Sequence, residues 1–365
     1  MLLNQLKSNI KYALSQLIFT ILVSFLLYLV GFFPNLIEKY YSSGIYPMIS
    51  TLLRFFDQQV HFSLGDCFYL LLGIIIFKKI IVFSVTLYQT SDKSTHFFMG
   101  FIQLLKSILR FYIAFMLLWG LNYSRIGASR QFKVAPLPYS TEELCSLSQE
   151  LIQEMNYCKS KLIQEQYNDS ALADIYTIAI QAYQKTKELY PFLQYTHPAV
   201  KSSLYTPLAP YIGFTGYFNP FTGEAQVRKD LPRIMMPYIT CHEIAHQLGY
   251  ADESEASFIA WIVAEKSDNT YLRYSALIDL YRFTRMELFL RNTYPDGPEK
   301  LSPAVKEDLV YIHNFIKKES FKQSETISNA YDMYLRMNGL EKGIESYNDI
   351  VAWVINWRKA KGLIR

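Results

Sequence analysis

The clearest chemical pattern in the chain is two histidines that flank a glutamate in CHEIAHQLGYADESEASF, residues 241–258. His242 and His246 are four positions apart, so on a helix their side chains lie about one turn apart on one face and can hold one metal ion. Glu243 projects about 100° away from His242, where its carboxylate can reach a water at the metal instead of the metal itself. This pattern is typical of zinc hydrolases and predicts Zn²⁺ as the cofactor.

A catalytic zinc ion takes a third protein ligand and leaves one position open for water. The candidates for this ligand are Asp252, Glu253, Glu255 and His313. Asp252 fits an HExxHxxGxxD spacing, but Asp252 and Glu255 also form the capping box of a new helix, which explains both acids without a metal. Glu253 shares a helix face with small residues at 256, 257, 260 and 264, which allow two helices to approach closely. Glu253 is therefore favoured, and the other three remain alternatives.

Two helices and a hairpin must position these side chains. Pro237 suits the start of a helix and Gly249 its end, which predicts an active-site helix over residues 237–248. A ligand helix is predicted over residues 253–267. Just upstream, residues 211–228 combine aromatic and β-branched residues with the turn sequence NPFTG, which predicts a short hairpin.

Most of the chain after residue 139 has a helical pattern. Ser140 with Glu143 forms a capping box at the start of one helix, and a second helix is predicted from about Asp169 to Leu189, before Pro191. Further helices are predicted over residues 270–292, 303–337 and 346–360, which form a helical C-terminal lobe. The predicted fold class is therefore mostly α with a small β-hairpin or sheet.

The first third of the chain contains three apolar segments. Residues 12–33 are 22 residues without a charge, long enough to cross a bilayer and too long for a signal peptide. Residues 62–81 and 101–123 contain charged residues such as Lys106, which can reach the headgroups by snorkelling. We therefore expect about three transmembrane helices in residues 1–125, with the lipid bilayer as a partner.

The charge distribution predicts an orientation. Seven basic residues face the cytoplasm and five the other side, which places the chain after residue 123 outside the cytoplasm. The two groups are Lys7, Lys11, Lys78, Lys79, Lys93, Lys106 and Arg110, and Lys39, Arg54, Arg125, Arg130 and Lys133. The remainder of the chain after residue 125 has 26 basic and 28 acidic residues, a balance that excludes the basic surface needed for nucleic-acid binding.

The sequence thus divides into a membrane region, residues 1–125, and an extracytoplasmic domain, residues 126–365. Residues 34–66, between the first two apolar segments, are amphipathic and aromatic, and two interpretations remain: a segment at the membrane interface or a connecting loop. The four cysteines give no disulfide pattern, because Cys145 and Cys158 are roughly 20 Å apart on one straight helix.

The histidine motif resembles that of the glutamate zinc peptidases, or gluzincins. This resemblance implies His242, His246 and Glu253 as zinc ligands and Glu243 as the general base, although Glu253 follows His246 by only seven residues, a shorter gap than usual. More of the chain resembles the bacterial membrane-anchored family known as domain of unknown function 3810, through YSSGIYPMIS, FSLGD, WGLNYSR, GYFNPFTGEAQV and the histidine motif. The two resemblances imply a zincin-like metallopeptidase domain on a multi-pass protein of the inner (cytoplasmic) membrane.

The leading hypothesis is a membrane-anchored zinc metallopeptidase that hydrolyses a peptide or protein substrate, with Glu243 as general base. By analogy with such peptidases, the hairpin offers an edge strand to an extended substrate. Tyr217 and His313 are among several candidate donors to the oxyanion. The alternative is a zinc-stabilised binding or scaffold protein without turnover. The motif is too polar for a bilayer span, which disfavours an intramembrane protease.

Overall fold

The computed structural model describes residues 2–167, 172–293, 299–320 and 349–362, together with 329, 332, 333 and 336. The chain has two compact units: Met1–Ile49 with Leu64–Arg125, and Ser50–Ser63 with Ile126–Arg365. The described residues are mostly helical and include a small three-stranded sheet, which confirms this part of the predicted fold class. Cys67, Cys145, Cys158 and Cys241 are free cysteines in the structure.

The first unit consists of helices. They are α1 (Leu2–Val30), α2 (Pro34–Leu36), a π-helical segment (Ile37–Ile45), the start of α3 (Tyr46–Asp57), α4 (Leu64–Gln89), α5 (Lys93–Leu118) and a 3-10 turn (Gly120–Ser124). Three of these are long and apolar enough to cross a membrane, over Ser8–Val30, Leu64–Gln89 and Lys93–Leu118. The three candidate spans indicate a membrane-associated protein, as the sequence predicts.

The contact between α1 and α5 has an apolar core with one polar pair. Ala13 and Leu17 pack with Ile102, and the buried Lys106 ammonium donates a hydrogen bond to Gln16 Oε1 at 3.0 Å. The sequence suggested that Lys106 reaches the headgroups. The Gln16 amide oxygen instead gives Lys106 a partner within the helix pair, because a buried ammonium is costly without one.

The second unit also consists mainly of helices. They are α6 (Ala128–Phe132), α7 (Thr141–Gln164), α8 (Leu172–Thr186), α9 (Ala209–Ile212), α10 (Met236–Gln247), α11 (Glu253–Glu265), α12 (Thr270–Leu290), α13 (Pro303–Ser320) and α14 (Ile350–Ala360), with 3-10 turns at Pro191–Leu193, Thr206–Leu208 and Arg233–Met235. The predicted capping box opens α7: Ser140 and Glu143 each accept a hydrogen bond from the other's backbone N–H. Most of residues 321–337, where the sequence predicts a longer α13, lie outside the described residues.

A three-stranded sheet confirms the predicted hairpin. The strands are β1 (Val200–Ser202), β2 (Gly216–Asn219) and β3 (Glu224–Val227), in the order β1-β3-β2. The central strand β3 pairs in parallel with β1 and antiparallel with β2. Gly223 closes the turn with a φ of +76°, a conformation that glycine adopts without strain. In this order β2 is an edge strand of the described sheet.

Residues Ser50–Ser63 pack within the second unit although they precede α4 in the sequence. The Ser50 hydroxyl donates to the backbone oxygen of Gln247 at 2.7 Å. The buried Lys201 ammonium donates to Asp57 Oδ1 at 2.8 Å and to Glu224 Oε1 at 2.9 Å. This segment therefore connects the end of α10 with one face of the sheet.

Candidate metal centre

The two motif histidines lie on α10, all of whose residues are buried. Pro237 lies in its first turn, where the missing N–H costs no hydrogen bond. The chain then turns at Gly249, whose φ is +88°. The observed bounds agree with the predicted helix within one residue. They place the rings of His242 and His246 one turn apart, with 4.7 Å between their centroids.

The following helix brings a carboxylate to the two rings. Ala256 and Ala260 are fully buried, and α11 packs directly against α10. Small side chains at this contact allow the close approach that the sequence predicts. Glu253 is the first residue of α11 and is also buried, so its carboxylate faces the imidazoles away from water.

Three side-chain atoms that can bind a metal ion lie close together at this point. His242 Nε2 and His246 Nε2 are 3.0 Å apart, and Glu253 Oε2 lies 3.1 Å from the first and 3.2 Å from the second. Ligands of a tetrahedral zinc ion at about 2.0–2.2 Å are separated by about 3.3–3.6 Å, so a small outward shift fits the three atoms to one ion. Within the described part of the chain, no other group of His, Cys, Asp and Glu has this arrangement.

Hydrogen bonds on the far sides of the rings orient both histidines. His246 Nδ1 lies 2.7 Å from the carbonyl oxygen of Tyr250. A carbonyl only accepts, so Nδ1 carries a proton, and Nε2, once it has lost its own proton, presents a lone pair to the centre. His242 Nδ1 lies 3.1 Å from the Ser257 hydroxyl. Such outer partners are characteristic of metal-binding histidines.

The other candidate ligands have different partners. Asp252 caps α11, because its carboxylate accepts from the backbone N–H groups of Ser254 and Glu255. Glu255 Oε1 accepts from the backbone N–H of Ala128 at 2.9 Å. His313 is exposed on α13. None of these three joins the cluster of donor atoms, which contains only His242, His246 and Glu253 among the described residues.

Glu243 lies beside the cluster and is only 4% exposed. Its Oε2 atom is buried and has no hydrogen-bond partner among the described residues. Its Oε1 atom lies so close to Gly216 of β2 that a Cβ at that glycine would be 2.7 Å away. An unsatisfied buried carboxylate oxygen costs free energy, so its presence calls for an explanation other than stability.

The charges of these groups depend on one another. Burial raises the pKa of Glu243 to about 8 and lowers the pKa of His242. Burial also lowers the pKa of His246, but the Glu253 carboxylate outweighs burial and raises it to about 9. For Glu253, burial alone raises the pKa, and the contacts with the two histidines, His246 foremost, lower it overall. In the metal-free protein the Glu253 carboxylate therefore stays ionised opposite a protonated His246.

Tyr217, one of the candidate donors to the oxyanion, lies on the face of β2 that points away from the centre. Tyr217 pairs with Gln226, and its side chain points to the face of β2 opposite to that of Gly216. Gly216 faces Glu243, so Tyr217 faces the other way. The sequence pattern does not indicate the contact of Gly216 with Glu243 or the hydrogen bond of His246 to the Tyr250 carbonyl. The sequence feature that pointed to the Gly216 contact was the glycine itself, within the predicted hairpin. A backbone carbonyl acceptor such as that of Tyr250 cannot be recognised from residue type, because every residue has one.

Residues 41–355, more than four fifths of the chain, match a family model described as Protein of unknown function (DUF3810). The chain belongs to this family. No match to this DUF3810 protein was found among curated proteins or solved structures.

The DUF3810 match contains the metal-centre residues, the hairpin and residues 50–63. It also contains two of the three candidate spans, Leu64–Gln89 and Lys93–Leu118. Because the family description names no activity, the chemistry of the centre must be argued from its geometry. The resemblance to gluzincins likewise receives no support from these comparisons.

Proposed function

We propose that the second unit is a zinc-dependent metallopeptidase domain, in which His242, His246 and Glu253 bind zinc and Glu243 is the general base. The observation that carries this proposal is the buried carboxylate of Glu243. It lies next to a set of three metal-ligand atoms, yet one of its oxygens has no hydrogen-bond partner among the described residues. A zinc site with a purely structural role has no use for such a group, whereas hydrolysis requires a base there.

The donor set fits zinc, because two imidazole nitrogens and one carboxylate are the ligands of many catalytic zinc ions. A bound zinc ion supplies a Lewis acid that polarises a carbonyl group and lowers the pKa of water. Glu243 takes the proton of the attacking water and passes it to the leaving nitrogen. Burial raises the pKa of Glu243 when no metal is bound, and a higher pKa strengthens the carboxylate as an acceptor of the proton from water.

The neighbouring strand supports a peptide as the substrate. β2 passes directly over the Glu243 carboxylate at Gly216, and it is an edge strand of the described sheet. An extended polypeptide can pair with such an edge through its backbone, independently of its sequence. A peptide bound in this way runs past the general base.

The proposed fold of this domain is zincin-like, with the histidines on one helix, the glutamate on the next and an edge strand beside them. We also propose that the protein is a multi-pass protein of the inner membrane whose second unit lies outside the cytoplasm. The support for this orientation is the distribution of basic residues around the candidate spans.

Metal analysis and a peptide library test the proposal together. The purified full chain should hold about one zinc ion and cleave members of a mixed library of short peptides, as read by mass spectrometry. Glu243→Gln should keep the zinc and abolish cleavage, and the exposed Glu188→Gln is the matched control. His242→Ala should lose both the zinc and the cleavage, whereas the exposed His313→Ala should lose neither.

Two results would contradict the peptidase. In the first, the zinc-loaded protein cleaves no peptide and His242→Ala strongly destabilises it. This combination identifies the zinc-stabilised scaffold instead. Cleavage that survives in Glu243→Gln would remove that residue from the reaction.

A further inference from the structure

Residues 202–223 contain no charged side chain and no histidine. Part of this stretch, residues 203–214, is termed the apolar loop here. Four of its large side chains are exposed: Leu204 (54%), Leu208 (51%), Tyr211 (53%) and Ile212 (41%). An exposed group of large apolar side chains within a single short segment is unusual for a surface that contacts only water.

The backbone of the loop places these side chains together. A 3-10 turn over Thr206–Leu208 continues into α9, Ala209–Ile212. Leu208 precedes Tyr211 by three residues and Ile212 by four, so the three side chains lie on one helical face. The loop thus presents a short helical segment with an exposed apolar side.

The loop lies close in sequence to a residue that is bonded to the segment before a candidate membrane span. Lys201, two residues before the loop, donates to the backbone oxygen of Phe62 at 2.9 Å. Ser63 also bonds to this sheet, because its hydroxyl donates to Glu224 Oε2 at 3.3 Å. The next residue, Leu64, is the first residue of α4, which is a candidate span. The sheet is therefore bonded to the two residues that immediately precede this candidate span.

The segment that leads to this span has an exposed apolar side as well. Leu52, Phe55, Phe56 and Phe62 belong to the second unit and are all exposed. Aromatic and large aliphatic side chains next to a span are typical of the lipid–water interface. Lys201 thus connects two exposed apolar segments, and one of them is continuous with a span.

We propose that the apolar loop lies in the lipid–water interface of the membrane that the chain itself spans. The bilayer is the favoured occupant because Lys201, just before the loop, binds the segment that leads directly into a candidate span. Tyr211 suits this position, because its ring is apolar and its hydroxyl stays hydrated. The proposal does not depend on zinc or on peptidase activity.

Site-directed fluorescence quenching tests the position of the loop. The full chain is reconstituted in phosphatidylcholine vesicles after the two partly exposed cysteines, Cys67 and Cys145, are replaced by Ser. A single cysteine at Leu208, Tyr157 or Tyr311 then carries an environment-sensitive dye. All three wild-type side chains are exposed, so the substitutions leave the core intact, and the two tyrosines on α7 and α13 are the controls.

The vesicles are compared with and without bromine on the lipid acyl chains. The dye at position 208 should lose roughly twofold in intensity with brominated lipid and should be shielded from aqueous iodide, because interfacial helices bury their apolar face about 5–10 Å deep. The dyes at positions 157 and 311 should respond only to iodide. A dye at 208 that responds only to iodide overturns the proposal. Shielding from both quenchers also overturns it, because a second copy or another protein then covers the loop.

Discussion

Replacing Lys201 by Met should destabilise the second unit more than any change on its surface. The Lys201 ammonium is buried between Asp57 and Glu224, whose side chains are 1% and 0% exposed. Without the ammonium, the negative charge of this pair of carboxyl groups remains in a site closed to water. Removing one partner of a buried ion pair costs about 3–5 kcal/mol in free energy of unfolding, because the remaining charge has no compensation.

The expected change is large enough to measure by thermal unfolding. For a unit of this size, each kcal/mol shifts the midpoint by about 2–4 °C, so Lys201→Met should lower Tm by about 6–20 °C. The matched control is Lys187→Met, since Lys187 is exposed on the same unit and should change Tm very little. Adding Asp57→Asn and Glu224→Gln to Lys201→Met removes the uncompensated charges and should restore part of the loss.

The pH dependence provides an independent check of the same reasoning. Burial, and then Glu224, raise the pKa of Asp57 to about 8, although Lys201 opposes this. The native state therefore keeps a proton that the unfolded chain releases above about pH 4, so this group lowers stability as pH rises from about 4 to 8. In Lys201→Met the fall in stability with rising pH should be steeper than in the wild type. At low pH the Tm of the variant should approach that of the wild type. A Tm equal to that of Lys187→Met at every pH would refute the buried triad.

Two further predictions concern the metal centre. Gly216→Ala should leave the zinc content unchanged and lower peptide hydrolysis by about 10–100-fold, because the new Cβ lies 2.7 Å from Glu243 Oε1. Gly73→Ala, whose Cβ meets nothing within 4 Å, is the control, and full activity in Gly216→Ala would contradict the contact. Apparent zinc affinity, measured by chelator competition, should fall as pH falls below about 9, because zinc must displace a proton from His246. An affinity that is constant between about pH 6 and 8 would contradict that protonation.

The local parts of the candidate centre could be predicted from the sequence because each has a short-range cause. The spacing of His242 and His246 fixes their common face on any helix. The small residues of α11 predict its close approach to α10, and with it the position of Glu253. Likewise, the capping box at Ser140 requires only four consecutive residues.

The parts that the sequence did not reveal depend on contacts between distant residues. Lys201 and Asp57 are 144 positions apart, and neither lies in a pattern that indicates burial. Glu255 was a candidate ligand because its type and position suited zinc, yet its carboxylate binds the backbone of Ala128, 127 positions earlier. A buried polar side chain needs a partner, but the sequence does not say where along the chain that partner lies.

The contacts of residues 50–63 determine how the second unit can be isolated. A fragment that starts at residue 126 lacks Ser50, which binds the end of α10, and Asp57, which binds Lys201. Such a fragment leaves buried polar groups of the sheet and of the motif helix without their partners. Its inactivity would therefore not show that the membrane takes part in the chemistry. A fragment that tests the centre in solution must carry residues 50–63 joined to residue 126, because this segment is part of the same unit as the histidines.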